Sequence, residues 1–256
     1  LWLAARVYMP EAYAAAARRA IVSEGAEVVL VKGTYEDAIH TMAADAEAHG
    51  WIVVSDTSSA GGDEVPRLIM LGYTRLVSEV RAELGAPDVV FAQGGVGGLV
   101  CGVAAGLAHE WPGHRPRLVA CEPSRAACLL ASARAGGLTT IDGPLDTIMA
   151  GLRCATPSPA AWPVIADLVD AFVAVDDKRT MAAMRMLAHP MSRDPAIESG
   201  PSGACSLATL VAVMREDALR PVRDALRLGP SSRVVVINTE GATDRELYDS
   251  IVSCCG

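Results

Sequence analysis

Short apolar, β-prone runs alternate with segments of helical period along the whole chain. Ala5 to Met9 reads as a strand closed by Pro10, and Glu11 to Glu24 as an alanine-rich helix stopped by Gly25. Glu27 to Val31 is the second strand. Thr34-Tyr35-Glu36-Asp37 has the order of a capping box opening a helix that runs to Gly50. Trp51 to Val54 predicts a third strand, and the small-residue tract Ser58 to Asp63 that follows has no period. Val65, Leu68, Ile69, Leu76, Val77, Val80 and Leu84 mark one face of a long helix. Val89 to Ala92 is then apolar enough for a strand buried on both sides, and Leu99, Val100, Val103, Leu107 and Trp111 recur at helical spacing.

The second half continues the alternation. Strands are predicted at Leu118 to Cys121, Ala171 to Val175 and Arg233 to Ile237. Helices are predicted at Arg125 to Arg134 with Ser124 as N-cap, at Met181 to Leu187, at Ser202 to Arg215 and from about Thr243. Gly136 to Pro159 is irregular, and an aperiodic stretch of that length inside a packed domain predicts a functional loop. Alternation with almost no hairpin signals predicts an α/β fold of parallel sheets covered by helices. The aperiodic tract divides it into a first unit over residues 1–60 and a larger one over 61–256. The chain opens Leu1-Trp2-Leu3 with no methionine and runs at once into a strand, which predicts that it begins inside a fold.

The least ordinary stretch is Phe91-Ala92-Gln93-Gly94-Gly95-Val96-Gly97-Gly98, a strand that breaks into glycines before a helix. Glycines there allow positive φ and close backbone approach, and the helix points its free N–H groups back at the turn, which makes an anion seat. A bare strand-to-helix connection would use the same residues. Gly95-Val96-Gly97 with Glu122 at the next strand end imitates a dinucleotide fingerprint, but the third small position falls on Val100, where valine would hold strand and helix apart. GxxxxGK[ST] is absent, which argues against a nucleoside triphosphate.

Charge and composition narrow the rest. With 51% hydrophobic residues in 256, the chain can bury a large core. Its 22 basic and 30 acidic residues, net −8, offer no basic patch for nucleic acid. No apolar run reaches membrane-span length and the first residues do not read as a signal peptide, so a cytoplasmic protein with no membrane partner is expected. Seven cysteines lack CxxC spacing, and five histidines form no HxxxH or HExxH pair, so no metal site is expected.

In open α/β sheets ligands lie beyond the carboxyl ends of the strands. Ser55-Asp56-Thr57, Gly94 to Gly98, Glu122-Pro123 and Asn238-Thr239-Glu240-Gly241 all fall there and outline one cleft. Asp56 reads as a turn cap or a catalytic base, Glu122 as an acid beside a helix N-terminus or a ligand contact, and Thr239 and Glu240 as turn or site residues. Cys254 and Cys255 read as incidental rather than redox-active.

Taken together, these motifs resemble the diaminopropionate ammonia-lyase family, pyridoxal-phosphate enzymes of the tryptophan-synthase-β group (fold type II). The resemblance covers essentially the whole chain, through Val7-Tyr8-Met9-Pro10, Gly25-Ala26-Glu27, Tyr35-Glu36-Asp37, Asp56-Thr57, Gln93 to Gly98, Glu122-Pro123 and Glu198 to Ala204. Thr147 to Leu152 followed by Cys154, and Thr239 to Asp244, are its more specific parts.

It implies loss of the β-amino group of 2,3-diaminopropionate, giving pyruvate and ammonia, in a homodimer. It further implies that Gly94, Gly95, Val96, Gly97 and Gly98 hold the phosphate, that Asp56 removes the α-proton, and that the Thr239 hydroxyl faces the pyridine nitrogen and leaves it unprotonated. Cys128 and Cys154 match positions that some members share, which implies a possible pairing across the irregular loop, with two reduced core thiols as the alternative.

One departure matters. The family's Schiff-base lysine, and an Asn-containing loop over the cofactor ring, lie upstream of the Val-Tyr-Met-Pro motif, and neither Lys32 nor Lys178 matches that lysine. The first unit is therefore expected to be the remainder of a cofactor-covering domain, and the chain as given to be inactive as a lyase. A serine or threonine dehydratase, or a non-catalytic fragment that binds phosphate only, are the alternatives.

Overall fold

The computed structural model describes residues 3–11, 15–33, 35–57, 62–191 and 193–253. Its first unit is a two-stranded parallel sheet of β1 (Arg6–Pro10) and β2 (Glu27–Val31), connected and flanked by α1 (Ala15–Ser23) and α2 (Tyr35–His49). Tyr8 Oη donates to Asp45 Oδ2 at 2.5 Å, tying β1 to α2. Thr34, the expected cap of α2, lies outside the described residues, as do most of the tract from Ser58 to Asp63 and the terminal Cys254 and Cys255.

The second unit runs α3 (Glu64–Leu84), β3 (Val89–Gln93), α4 (Gly98–Glu110), β4 (Arg117–Pro123), α5 (Cys128–Ala135), α6 (Trp162–Leu168), β5 (Ala171–Val175), α7 (Asp177–Ala188), α8 (Pro201–Arg215), α9 (Arg220–Ala225), β6 (Val234–Val236) and α10 (Arg245–Val252). Its sheet has the order β5-β4-β3-β6 and every pairing is parallel. The two faces follow from the period-two alternation along the central strands. Val89 and Phe91 with Val119 and Cys121 face α7, α8 and α10 through Met184, Ala204, Cys205, Ala208 and Ile251. Val90 and Ala92 with Leu118 and Ala120 face α3, α4, α5 and α6 through Val77, Val103, Leu107, Leu129 and Ile165. All five residues of β3 are buried, as a central strand of a doubly covered parallel sheet requires.

Three expectations are corrected. Trp51 to Val54 forms no ladder among the described residues; Ile52 and Val54 are 84% and 72% exposed, and a β-prone run without a neighbour to pair stays an extended segment. Ser124 caps nothing: α5 starts at Cys128, because Glu122 on the end of β4 takes the N–H of Leu129 on Oε1 (2.7 Å) and of Leu130 on Oε2 (2.8 Å). The helix expected at Met181 begins instead at Asp177, since the Asp176 side chain accepts from the Arg179 N–H at 2.9 Å. Among the described residues, no helix is long and apolar enough to cross a membrane.

Candidate active site

The site begins where β3 runs out. Gly94 still belongs to the ladder, its N–H donating to the Cys121 carbonyl at 2.9 Å. From Gly95 the backbone leaves the sheet, and at Gly97, with φ of 99°, it turns into α4. L-residues pay for that left-handed region, so glycine is required there. The first helical bond across the boundary is Cys101 N–H to Gly97 carbonyl, at 2.8 Å. The amides of the first turn, Gly98 to Val100, therefore have no acceptor within the helix and point their donors outward. A side chain at Gly95 would come 2.9 Å from Cys154 Sγ, which keeps this rim bare backbone.

The long irregular loop supplies the adjoining wall. Ser158 N–H donates to the Val96 carbonyl at 2.8 Å, fastening the loop to the glycine turn, and the Ser158 hydroxyl is buried with no partner among the described residues. Arg153 is folded back, Nε donating to the Thr147 carbonyl at 2.7 Å. The opposite wall comes from beyond β6. Gln93 Nε2 donates to Thr239 Oγ1 at 2.9 Å, and Ser206 Oγ on α8 donates to Gln93 Oε1 at 2.8 Å. Glu240 lies over the start of α8, its Oε2 accepting from Ser202 N–H (2.6 Å) and Gly203 N–H (3.1 Å).

These walls enclose a cavity of 960 Å³, within the size range of ligand sites. Asp56, Gly94, Gly95, Val96, Gly97, Gly98 and Thr239 all line it, with Tyr35 from α2 and Tyr73 from α3. Asp56, Glu240 and Asp244 are its acids among the described residues. Two of them are already committed: Glu240 to α8, and Asp244 to the first turn of α10 through the Leu247 N–H at 3.0 Å. Asp56 has no such helix terminus to serve and accepts no hydrogen bond on its carboxylate from the described residues.

Glu122 does not belong to the site: it is wholly buried and its carboxylate starts α5, so its reading as a ligand contact is overturned. Cys128 and Cys154 are not joined by a disulfide. The Cys128 thiol donates to the Gly95 carbonyl at 3.4 Å and burial pushes its pKa far up, so it serves the turn as a packed, protonated group. Lys32 and Lys178 are exposed and neither lines the cavity. The Gln93 side chain, Ser206 and the helix-capping role of Glu240 were missed in the sequence. For Gln93 a signal existed, a polar residue ending an otherwise apolar strand; for Ser206, one hydroxyl in a small-residue helix, there was none.

A ligand that fits this cavity has an anionic end for the amide-rimmed turn and a body that reaches the Thr239 hydroxyl. The bare rim at Gly95 and the outward amides of α4 suit a phosphate. The family model of pyridoxal-phosphate dependent enzymes matches residues 3–240, and the chain belongs to that family. Among individual proteins it is similar to the diaminopropionate ammonia-lyase of Escherichia coli K12, 34% identical over 250 residues that make up 96% of this chain and 63% of that protein. The crystal structure of the holo Escherichia coli enzyme superposes with a TM-score of 0.89 at 34% identity, covering 97% of this chain and 63% of that one. A second structure of the same enzyme, in complex with an aminoacrylate-PLP azomethine reaction intermediate, gives 0.88 at 33% identity, covering 97% of this chain and 64% of that one. The chain thus spans a little under two thirds of the length of these relatives.

Proposed function

We propose that this chain carries the phosphate cup and proton-transfer group of a pyridoxal-phosphate ammonia-lyase that acts on 2,3-diaminopropionate. The observation that carries the reading is the pairing, in one cavity, of an amide-rimmed glycine turn with Asp56, the one lining acid among the described residues that no helix terminus engages. Similarity to the Escherichia coli enzyme over nearly the whole chain supports the choice of substrate. When bound, pyridoxal phosphate supplies the electron sink that lets an α-proton leave. The backbone amides of Gly95 to Gly98 hold the phosphate, with Gly94 as their support in the sheet. With the cofactor bound, Asp56 would take the α-proton, the β-amino group would leave as ammonia, and the Thr239 hydroxyl would be the group available to the ring nitrogen. With both lysines away from the cavity, the 256 residues hold the cofactor without a covalent link of their own.

The same reading divides the chain into a cofactor-covering unit over 1–60 and a cofactor-binding unit over 61–256, supported by the two separate sheets. It makes the protein a cytoplasmic homodimer of amino-acid catabolism; the apolar Leu68 and Leu71, 59% and 63% exposed on α3, suit a subunit contact.

The test presents the chain with pyridoxal phosphate and an amino acid in deuterated buffer and follows exchange of the α-proton. Exchange is expected with 2,3-diaminopropionate, more slowly with serine, and to be lost in Asp56→Asn; borohydride is expected to leave no pyridoxyl-lysine. Undiminished exchange in Asp56→Asn, or faster exchange of serine, refutes the assignment.

A further inference from the structure

Thr239 does not reach the cavity as an isolated hydroxyl. It ends a chain of hydrogen bonds that begins in the core, at Ser206 on the α8 face against β3, and passes through Gln93 on the last position of that strand. Ser206 is fully buried and Gln93 is 3% exposed, so bulk water does not compete for the link between them, while the far end at Thr239 opens on the cavity. The direction of donation along the chain matters more than its length. A serine hydroxyl has one proton to give, and here it goes to Gln93 Oε1. That turns the amide so that its NH₂ end faces Thr239 and donates to Oγ1. Having accepted that bond, the Thr239 hydroxyl keeps its own proton for another partner, and the cavity is where Thr239 is open.

We infer that Gln93, oriented by Ser206, is a positioning residue that fixes Thr239 as a hydrogen-bond donor toward the cavity. The inference rests on the proposed cofactor reading, in which the partner of Thr239 is the pyridine nitrogen. A donor there calls for a nitrogen with its lone pair free. If the amide were reversed, Oε1 would take the Thr239 proton, and the hydroxyl would present a lone pair that calls for a protonated nitrogen. One buried side chain thus sets the protonation state of a ring it does not touch.

Two measurements test this. Neutron diffraction from crystals of the chain grown in heavy water reads the orientation with no cofactor bound. The Ser206 deuteron is expected on the line to Gln93 Oε1, and the Thr239 deuteron turned into the cavity; a Thr239 deuteron on the line to Gln93 overturns the inference. The second uses pyridoxal phosphate labelled with ¹⁵N in the ring. Its nitrogen resonance is expected in the free-base range in the wild type and to move to the pyridinium range in Gln93→Glu, whose carboxylate accepts from both hydroxyls. No movement in a folded Gln93→Glu protein overturns the inference even where the cofactor reading stands. Failure of the chain to hold the labelled cofactor counts against the cofactor reading, and the diffraction result then decides the orientation alone. In Ser206→Ala, a milder change should Gln93→Glu not fold, the amide loses its anchor and the Thr239 deuteron is expected to split between two positions; an unmoved deuteron removes Ser206 from the chain.

Discussion

Replacing Glu122 by glutamine tests how this protein starts α5 with a wholly enclosed acid. Burial pushes the Glu122 pKa up from 4.5 to about 8, against the downward pull of the Leu129 and Leu130 amides. An acid whose pKa is higher in the folded state holds its proton more tightly there. Its stabilising contribution is therefore complete below pH 4.5 and is lost as the pH climbs toward 8. The loss runs at about 1.4 kcal/mol per pH unit. Between pH 5 and 7 that amounts to roughly 2–3 kcal/mol, on the order of 5–10 °C in melting temperature for a chain of this size.

The thiols in its electrostatic range do not add to the slope. Burial raises the pKa of Cys121, Cys128 and Cys205, leaving all three protonated throughout. Glutamine cannot titrate, but it sets an NH₂ group against one of the two amides, costing roughly 1–3 kcal/mol at every pH. Urea unfolding of both proteins from pH 5 to 8 is expected to show the wild type ahead at pH 5, the gap closing with rising pH and the order reversed near pH 8. Parallel stability curves would refute the reasoning.

Two further changes probe the walls of the cavity. Gly97→Ala forces an L-residue to φ of 99° and brings its Cβ to 2.5 Å from the Ile165 Cδ1 atom, so stability is expected to fall by about 1–2 kcal/mol and pyridoxal phosphate affinity by roughly tenfold, read by chemical unfolding and by absorbance titration. Glu240→Ala strips the carboxylate from the Ser202 and Gly203 amides and is expected to cost about 0.5–2 kcal/mol, with Glu240→Gln losing less; equal losses in thermal melts would show that the negative charge, rather than any acceptor, holds the helix.

The fold was legible where the chain alternates strictly. Val89 to Ala92 read as a strand buried on both faces, and Leu118 to Cys121 as a strand, because parallel strands covered on both faces need apolar side chains at every position. α6 and α9 went unread because each is too short to show a helical period, though each carries proline in its first turn. Trp51 to Val54 misled because β propensity describes a side chain's fit to a sheet and cannot supply the neighbouring strand. At the site, the glycine turn announced itself through local backbone demands. Its continuation through Gln93 to Thr239 joins residues 146 apart in sequence, and no local pattern encodes such a pairing. Ser124 and Glu122 show the same limit: a nearby serine is the ordinary cap, yet a strand-end acid does the capping.

The sheet order β5-β4-β3-β6 has a consequence for synthesis on the ribosome. The strand that borders β3 on its far side follows every other described strand in the sequence, so the wholly apolar run Val89 to Ala92 leaves the exit tunnel long before Val234 to Val236 exist to cover its edge. Until they do, the nascent chain offers a bare, buried-type edge to any passing strand, the geometry from which aggregates grow. Thr239 arrives with that closing strand. Completing the cavity and sealing the open edge of β3 are one event, and expression yield is expected to depend on whatever shields β3 during the interval.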